Sequence, residues 1–250
     1  MKIRYISDLH FEFLTNSAED YANIGKGVSV VVVAGDIDSS KGNYQSLREL
    51  ARLISPKPLL YISGNHDYYH SSKPKINSRL YKLSNEVDNF YFLNKSILKI
   101  KDVVFIGCTG WQSFPEYDDS EYYMMNDFRL IKNHNNDVYL YGQDDLFFLQ
   151  NELKKYTTEK TVVITHIIPT SKAINWGTPE VDNKNNNIHA YYNDWDDLIK
   201  EFSPNIWICG HCHDSFDSVI YNTRIVRNAL GYLNYKRWNT KFNKLKYINV

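Results

Sequence analysis

Five apolar stretches of this chain each run into a short polar cluster, and this regularity restricts the fold more than any other feature. Residues 2–7 lead to Asp8-Leu9-His10, residues 28–34 to Gly35-Asp36, and residues 58–63 to Gly64-Asn65-His66. Residues 161–165 lead to His166, and residues 205–209 to Gly210-His211-Cys212-His213. A continuous β-branched run such as 28–34 suits a strand buried on both faces. Between the second and third runs, Leu47, Leu50, Ala51 and Ile54 follow helical spacing. Strands joined by crossover helices are parallel. In open α/β sheets, the carboxyl ends of parallel strands open onto one crevice. An α/β fold is therefore predicted, with all five clusters at one edge.

The rest of the chain supports that frame. Residues 90–107 suit two or three strands, the last at 103–106. Helices are predicted over 143–156 and 194–202, and the tail 216–250 has hairpin character, turning at Tyr221-Asn222-Thr223. Neither a repeat nor a linker divides the chain. It is expected to form a single domain over 1–250, with an aromatic, acidic insertion at about 111–141. At 43% hydrophobic and 23% charged residues, disorder is excluded for the chain as a whole.

Charge and cysteine usage exclude several functions. Lys+Arg and Asp+Glu are both 29. A long nucleic acid needs a basic footprint, because phosphate neutralisation supplies most of its affinity, so none is expected as partner. No apolar run approaches the ~20 residues of a membrane span. The first ten residues are too broken by charge to be a signal peptide, so a cytoplasmic location is expected. Three cysteines, Cys108, Cys209 and Cys212, are too few for a disulfide scaffold. A redox reading of Cys209-x-x-Cys212 is outweighed by the interleaved His211 and His213.

The clusters carry two aspartates, an asparagine and five of the eight histidines. Oxygen and imidazole donors without thiolates suit Mn2+, Fe, Zn or Ni rather than a structural zinc site. Seven donors are too many for one ion and suit two that share a carboxylate. Ion pairs ~3.5–4 Å apart recur in phosphoryl hydrolysis. Gly35, Gly64 and Gly210 precede donors where a sharp turn is needed.

Asp-x-His at 8–10, Gly-Asp at 35–36, Gly-Asn-His-Asp at 64–67, the lone His166 and Gly-His-x-His at 210–213 come in the order found in calcineurin-like metallophosphoesterases, which this chain resembles. Met125-Asn126-Asp127-Phe128-Arg129, Thr165-His166 and residues 210–217 and 228–232 are similar to a group of small bacterial and phage phosphoesterases. The resemblance implies a four-layer α/β/β/α sandwich of two mixed β-sheets flanked by helices. It implies two divalent metal ions, with Mn2+ placed ahead of Fe, Zn or Ni. Asp8, His10, Asp36 and His213 would hold one ion; Asp36, Asn65, His166 and His211 would hold the other, with Asp36 bridging. His66 would be a catalytic residue outside the ligand set, protonating the leaving oxygen or contacting the phosphate. Asn65 and Arg129 are expected at the substrate, although Arg129 also suits a pair with Asp127. Asp67 is expected to orient His66 or to cap the following turn.

The chain departs from the group at Ile167, where relatives carry a second histidine, and at Asn228-Ala229-Leu230-Gly231-Tyr232, where they carry Asn-Pro-Arg-Gly-Tyr. Trp111, Phe114, Tyr117, Tyr122, Tyr123 and Phe128 suit an ordinary packed subdomain or a lid stacking a planar group. The Asn-rich loop 183–187 suits a solvated segment, or a gate or homodimer contact. His70, His134 and His189 are read as structural. The expected reaction is attack of a metal-bridging hydroxide on a small phosphate ester, a phosphodiester or nucleotide. The alternatives are a phosphomonoesterase or nucleotide pyrophosphatase with the same site, a nuclease, and a non-catalytic scaffold of the same fold.

Overall fold

Five consecutive buried residues, Val30–Ala34, form strand β2 and pair in parallel with β1 (Lys2–Ile6) and β3 (Leu59–Ile62). The computed structural model describes residues 1–13, 16–39, 44–113, 125–134, 138–176, 191–235 and 237–250. The first sheet is completed by β4 (Phe90–Phe92), parallel to β3, and by the C-terminal strand Tyr247–Asn249, antiparallel to β1. The second sheet contains β5 (Ser96–Ile100), β6 (Val103–Gly107), β7 (Lys160–Ile164), β8 (Ile206–Cys209), β9 (Ser215–Ile220) and β10 (Thr223–Asn228), in the order β5-β6-β7-β8-β10-β9. Its four inner strands are parallel, and both edges are antiparallel.

Alternation along each strand explains the layering. Val30, Val32, Leu60 and Ile62 of the first sheet meet Phe105, Val162, Ile164 and Ile208 of the second in a shared core. The residues between them point outward. Val31, Val33 and Tyr61 pack against Leu47, Leu50, Ile76 and Leu80 of α1 (Gln45–Leu53) and α2 (Lys73–Glu86). Across the molecule, Ile106, Val163 and Trp207 pack against Leu149 and Ile199. Those two belong to α4 (Val138–Lys155) and α5 (Asp196–Phe202); the short α3 (Asn126–Leu130) lies between α2 and α4 in the chain. Helix, sheet, sheet and helix make the four-layer sandwich.

The expected elements differ from the observed ones in two places. Helix α2 was not anticipated, because its apolar residues Ile76, Leu80 and Leu83 are isolated in a polar segment. Their i, i+4, i+7 spacing still buries one stripe, and Pro74 stands in its first turn, where no amide is lost. Helix α4 begins earlier than expected, at Val138, so the aromatic stretch 111–141 ends inside a helix and also contains α3. Trp111 and Phe128 are buried. Phe114, Tyr117, Tyr122, Tyr123, the loop 183–187 and His189 lie outside the described residues. The turn at Tyr221 and Asn222 has both residues left-handed, at φ 55° and 99°, and joins β9 to β10. Among the described residues, no helix is long and apolar enough to cross a membrane.

Candidate metal centre

Strands β1, β2 and β3 of one sheet and β7 and β8 of the other end on the same side of the sandwich. An isolated bridge between Ser7 and Ala229 stitches the two sheets together there. The backbone must turn sharply to aim side chains into the gap. Asp8, His10, Asp36 and His211 all adopt left-handed φ values, 56°, 48°, 53° and 73°. Such values are uncommon outside glycine and are strained, so they persist only where the surroundings enforce them. Here the enforcement is mutual: Asp8 N donates to Gly35 O at 3.0 Å, and His10 N to Asp36 O at 3.1 Å.

Two glycines mark how closely the sheets meet. A Cβ on Gly35, at φ 87°, would lie 2.5 Å from His166 Nδ1. One on Gly64 would lie 2.1 Å from Asp36 Oδ1 and 2.7 Å from His166 Cε1. Side chains at either place would occupy the space of the donors.

The seven residues expected as ligands are brought together. Donor atoms of Asp8, His10 and His213 lie within 4.8 Å of one another, as do those of Asp8, Asp36 and His166. His10 Nε2 is 3.2 Å from His213 Nε2, and His213 Nε2 is 3.6 Å from Asp8 Oδ1. His166 Nε2 is 3.3 Å from Asp36 Oδ2 and 3.0 Å from Asn65 Oδ1. The His211 ring is 5.1 Å from that of His166, and His211 Nε2 is buried without a hydrogen-bond partner among the described residues. A buried, unsatisfied ring nitrogen is costly unless something binds it. The donor set fits divalent ions on these grounds: oxygen and imidazole groups converge, and the imidazole of His211, its ring against that of His166, keeps a buried nitrogen unsatisfied.

Charge and burial set the histidines apart: His10 and His211 are held neutral, and His166, despite its burial, is held protonated by Asp36. Burial holds His10 and His211 below the usual histidine value, so both are neutral, the form that ligates metal. Burial opposes ionisation of Asp36, yet His166 and His66 hold it well below the usual carboxylate range. Burial also pushes His166 down, but the Asp36 carboxylate outweighs it and raises His166 to about 10.

His66 lies beside the seven. Its backbone N–H donates to Asp36 Oδ1 at 2.9 Å. Its ring is held from both edges, with Nδ1 3.3 Å from Glu12 Oε1 and Nε2 2.9 Å from the Tyr232 hydroxyl. Burial lowers its affinity for a proton, but Asp36 and Glu12 raise it further, so the net direction is upward.

Several functional contacts were not anticipated. Glu12 Oε1 also sits 3.0 Å from His10 Nδ1, so one carboxylate touches both histidines. Burial would raise Glu12, but these two histidines bring it to about 2. The available signal was a lone acid between Phe11 and Phe13, two residues past a candidate ligand; carboxylate–histidine–metal triads recur. Tyr232 closes the 228–232 motif, but that motif does not show its partner, which is 166 positions away.

The reading of Asp67 and the pairing of Arg129 with Asp127 are corrected. Asp67 neither orients His66 nor caps the following turn: its carboxylate accepts from Asp36 N at 3.1 Å, Gly64 N at 2.7 Å and the Tyr61 hydroxyl at 2.5 Å. It ties the β2 and β3 loops together. Arg129 is exposed and donates to Asn126 Oδ1 at 2.5 Å, while Asp127 faces inward to Asn65. Leu230, at the place of the missing arginine, is buried in the outer core. His134 is buried with Lys73 Nζ 2.7 Å from its Nδ1, and His70 is exposed. Cys108, Cys209 and Cys212 are buried and form no disulfide among the described residues.

A family model described as calcineurin-like phosphoesterase matches residues 1–215. A similar protein, uncharacterized protein L509 of Acanthamoeba polyphaga mimivirus, is 28% identical over 278 residues, covering 99% of this chain and 96% of that protein. Among solved structures, the phosphopantetheinyl hydrolase PptH of Mycobacterium tuberculosis superposes with a TM-score of 0.72 at 13% identity, covering 99% of this chain and 95% of that one. TT1561 of Thermus thermophilus gives a TM-score of 0.57 at 11% identity, covering 91% and 88%. At these identities the two structures share the fold.

Proposed function

The chain belongs to the calcineurin-like phosphoesterase family, and from that premise we propose that it is a dinuclear metal-dependent phosphodiesterase acting on a small phosphate ester or nucleotide. Membership implies metal-dependent phosphoester hydrolysis. The observation that carries the dinuclear reading is the meeting of seven oxygen and imidazole donors from five strand ends, with Asp8 and Asp36 between the two sets of histidines. Asp8, His10, Asp36 and His213 would hold one ion, and Asp36, Asn65, His166 and His211 the other. Such ions polarise phosphate oxygens and make a water acidic enough to attack phosphorus near neutral pH. The donor chemistry suits Mn2+.

The protein's own residues supply orientation and a proton. His66 is clamped between Glu12 and Tyr232 at the edge of the donor cluster, and its upward shift favours the protonated ring. It is the group that hands a proton to the leaving oxygen. Zero formal charge offers no footprint for a polymer and supports a small substrate.

The test is a substrate pair with Mn2+ present. Hydrolysis of bis-p-nitrophenyl phosphate is expected to exceed that of p-nitrophenyl phosphate. The reverse order would replace the diesterase reading with a monoesterase, and hydrolysis of neither by a metal-loaded protein would favour the scaffold.

A further inference from the structure

The Asn65 amide has an oxygen that can ligate a cation and a nitrogen that cannot. Which end faces the donor cluster depends on what holds the other. Asn65 Oδ1 points to His166, while Nδ2 donates to Asp127 Oδ1 at 2.8 Å and to the Tyr69 hydroxyl at 3.2 Å. The Tyr69 hydroxyl donates in turn to the same Asp127 oxygen at 2.7 Å. If the amide were turned over, its oxygen would face the Asp127 oxygen, acceptor against acceptor, in a buried place where the mismatch is costly.

Asp127 is itself anchored independently of Asn65. It is fully buried on α3, 62 positions along the chain. The segment around it docks on the turn after His66 through His70 N to Leu130 O at 2.7 Å and Lys132 N to Ser71 O at 2.8 Å. Phe128 and Ile131 pack into the outer core on either side.

We propose that Asp127 is a positioning residue for the metal centre: it selects the amide orientation of Asn65, braced by Tyr69, and thereby sets the affinity of the second ion site. The inference rests on Asn65 being a ligand, as proposed above. It makes α3, part of the aromatic stretch 111–141, a determinant of metal affinity without touching the ion.

The experiment is calorimetric titration of the full chain, stripped with EDTA, with Mn2+. The wild type is expected to take up two ions. Asp127→Leu, which removes the acceptor, should weaken one site by about 10–100-fold, the usual effect of removing a partner that orients a ligand, and leave the other site unchanged. Asn65→Asp/Asp127→Leu should restore the weak site, because a carboxylate at 65 presents an oxygen whichever way it turns. Unchanged affinity in Asp127→Leu would overturn the inference alone, whereas a wild type that binds fewer than two ions would overturn the dinuclear reading with it. Should Asp127→Leu fail to fold, Asp127→Ser, too short to reach Asn65, decides: one weakened site supports the role, and two sites of wild-type affinity refute it.

Discussion

The two halves of the proposed metal centre are oriented by different means. On the side of Asp8, His10 and His213, the supporting contacts are local or backbone in origin. Glu12 holds His10 from two residues away, and His211 N donates to both Asp8 oxygens at 3.2 Å. On the side of Asn65, His166 and His211, support comes from afar. His166 Nδ1 donates to Ala34 O at 2.8 Å across 132 positions, Asn65 leans on Asp127, and His211 Nε2 has no protein partner among the described residues. One half is thus held by a neighbouring carboxylate and by a backbone amide 203 positions away, and the other by side-chain contacts that depend on the packing of α3 and the two sheets, so damage to α3 should fall first on the second.

The largest effect should come from the residue between the halves. Asp36→Ala is expected to abolish hydrolysis and release at least one ion, read by elemental analysis of the purified protein. Retention of both ions would show that the halves are independent. Next, His66→Ala should lower turnover by roughly 10²–10⁴ with metal content unchanged; loss of an ion would move His66 into the ligand set. Gly64→Ala introduces a Cβ against Asp36 and His166, and should cost about 1–3 kcal/mol of stability, as overpacking does, with weaker binding at the second site. Thermal melting with and without Mn2+ separates the two losses.

The smallest effect concerns acid. His134 is pushed down from 6.5 to about 3, first by burial and then by Lys73. The folded protein therefore keeps this ring neutral, while the unfolded chain protonates it below 6.5. The stability it contributes is fully present above that value and is lost as pH falls toward 3, at no more than about 1.4 kcal/mol per pH unit. Because His134 follows the α3 segment that carries Asp127, acid should loosen the distantly supported half first. Denaturant unfolding at pH 7, 6 and 5 should show a shallower decline for His134→Gln than for the wild type; equal slopes would remove His134 from the account.

The fold was legible where physics is local. Runs such as Val30–Ala34 read as buried strands, and the order of strand and crossover implied parallel pairing with a shared carboxyl edge. The four-layer arrangement came from the family resemblance, and the two stacked sheets bear it out. Helix α2 was hidden because three spaced residues carry its buried stripe in a segment that is otherwise polar. Around the site, the turn glycines and the donors were visible at strand ends. Asp127 and Tyr232 were not assigned to it, since their contacts arise only once segments 62 and 166 positions apart are folded together, whereas Glu12 was missed although it stands two residues from His10. Asp67 misled for a related reason: next to His66 in sequence, it turns its carboxylate to the backbone of the neighbouring loops.

The most direct test of the proposed dinuclear centre is anomalous diffraction from crystals grown with Mn2+. Two peaks are predicted on either side of the Asp36 carboxylate, one within reach of Asp8, His10 and His213 and the other within reach of Asn65, His166 and His211. A single peak, or a pair of peaks away from Asp36, would contradict it.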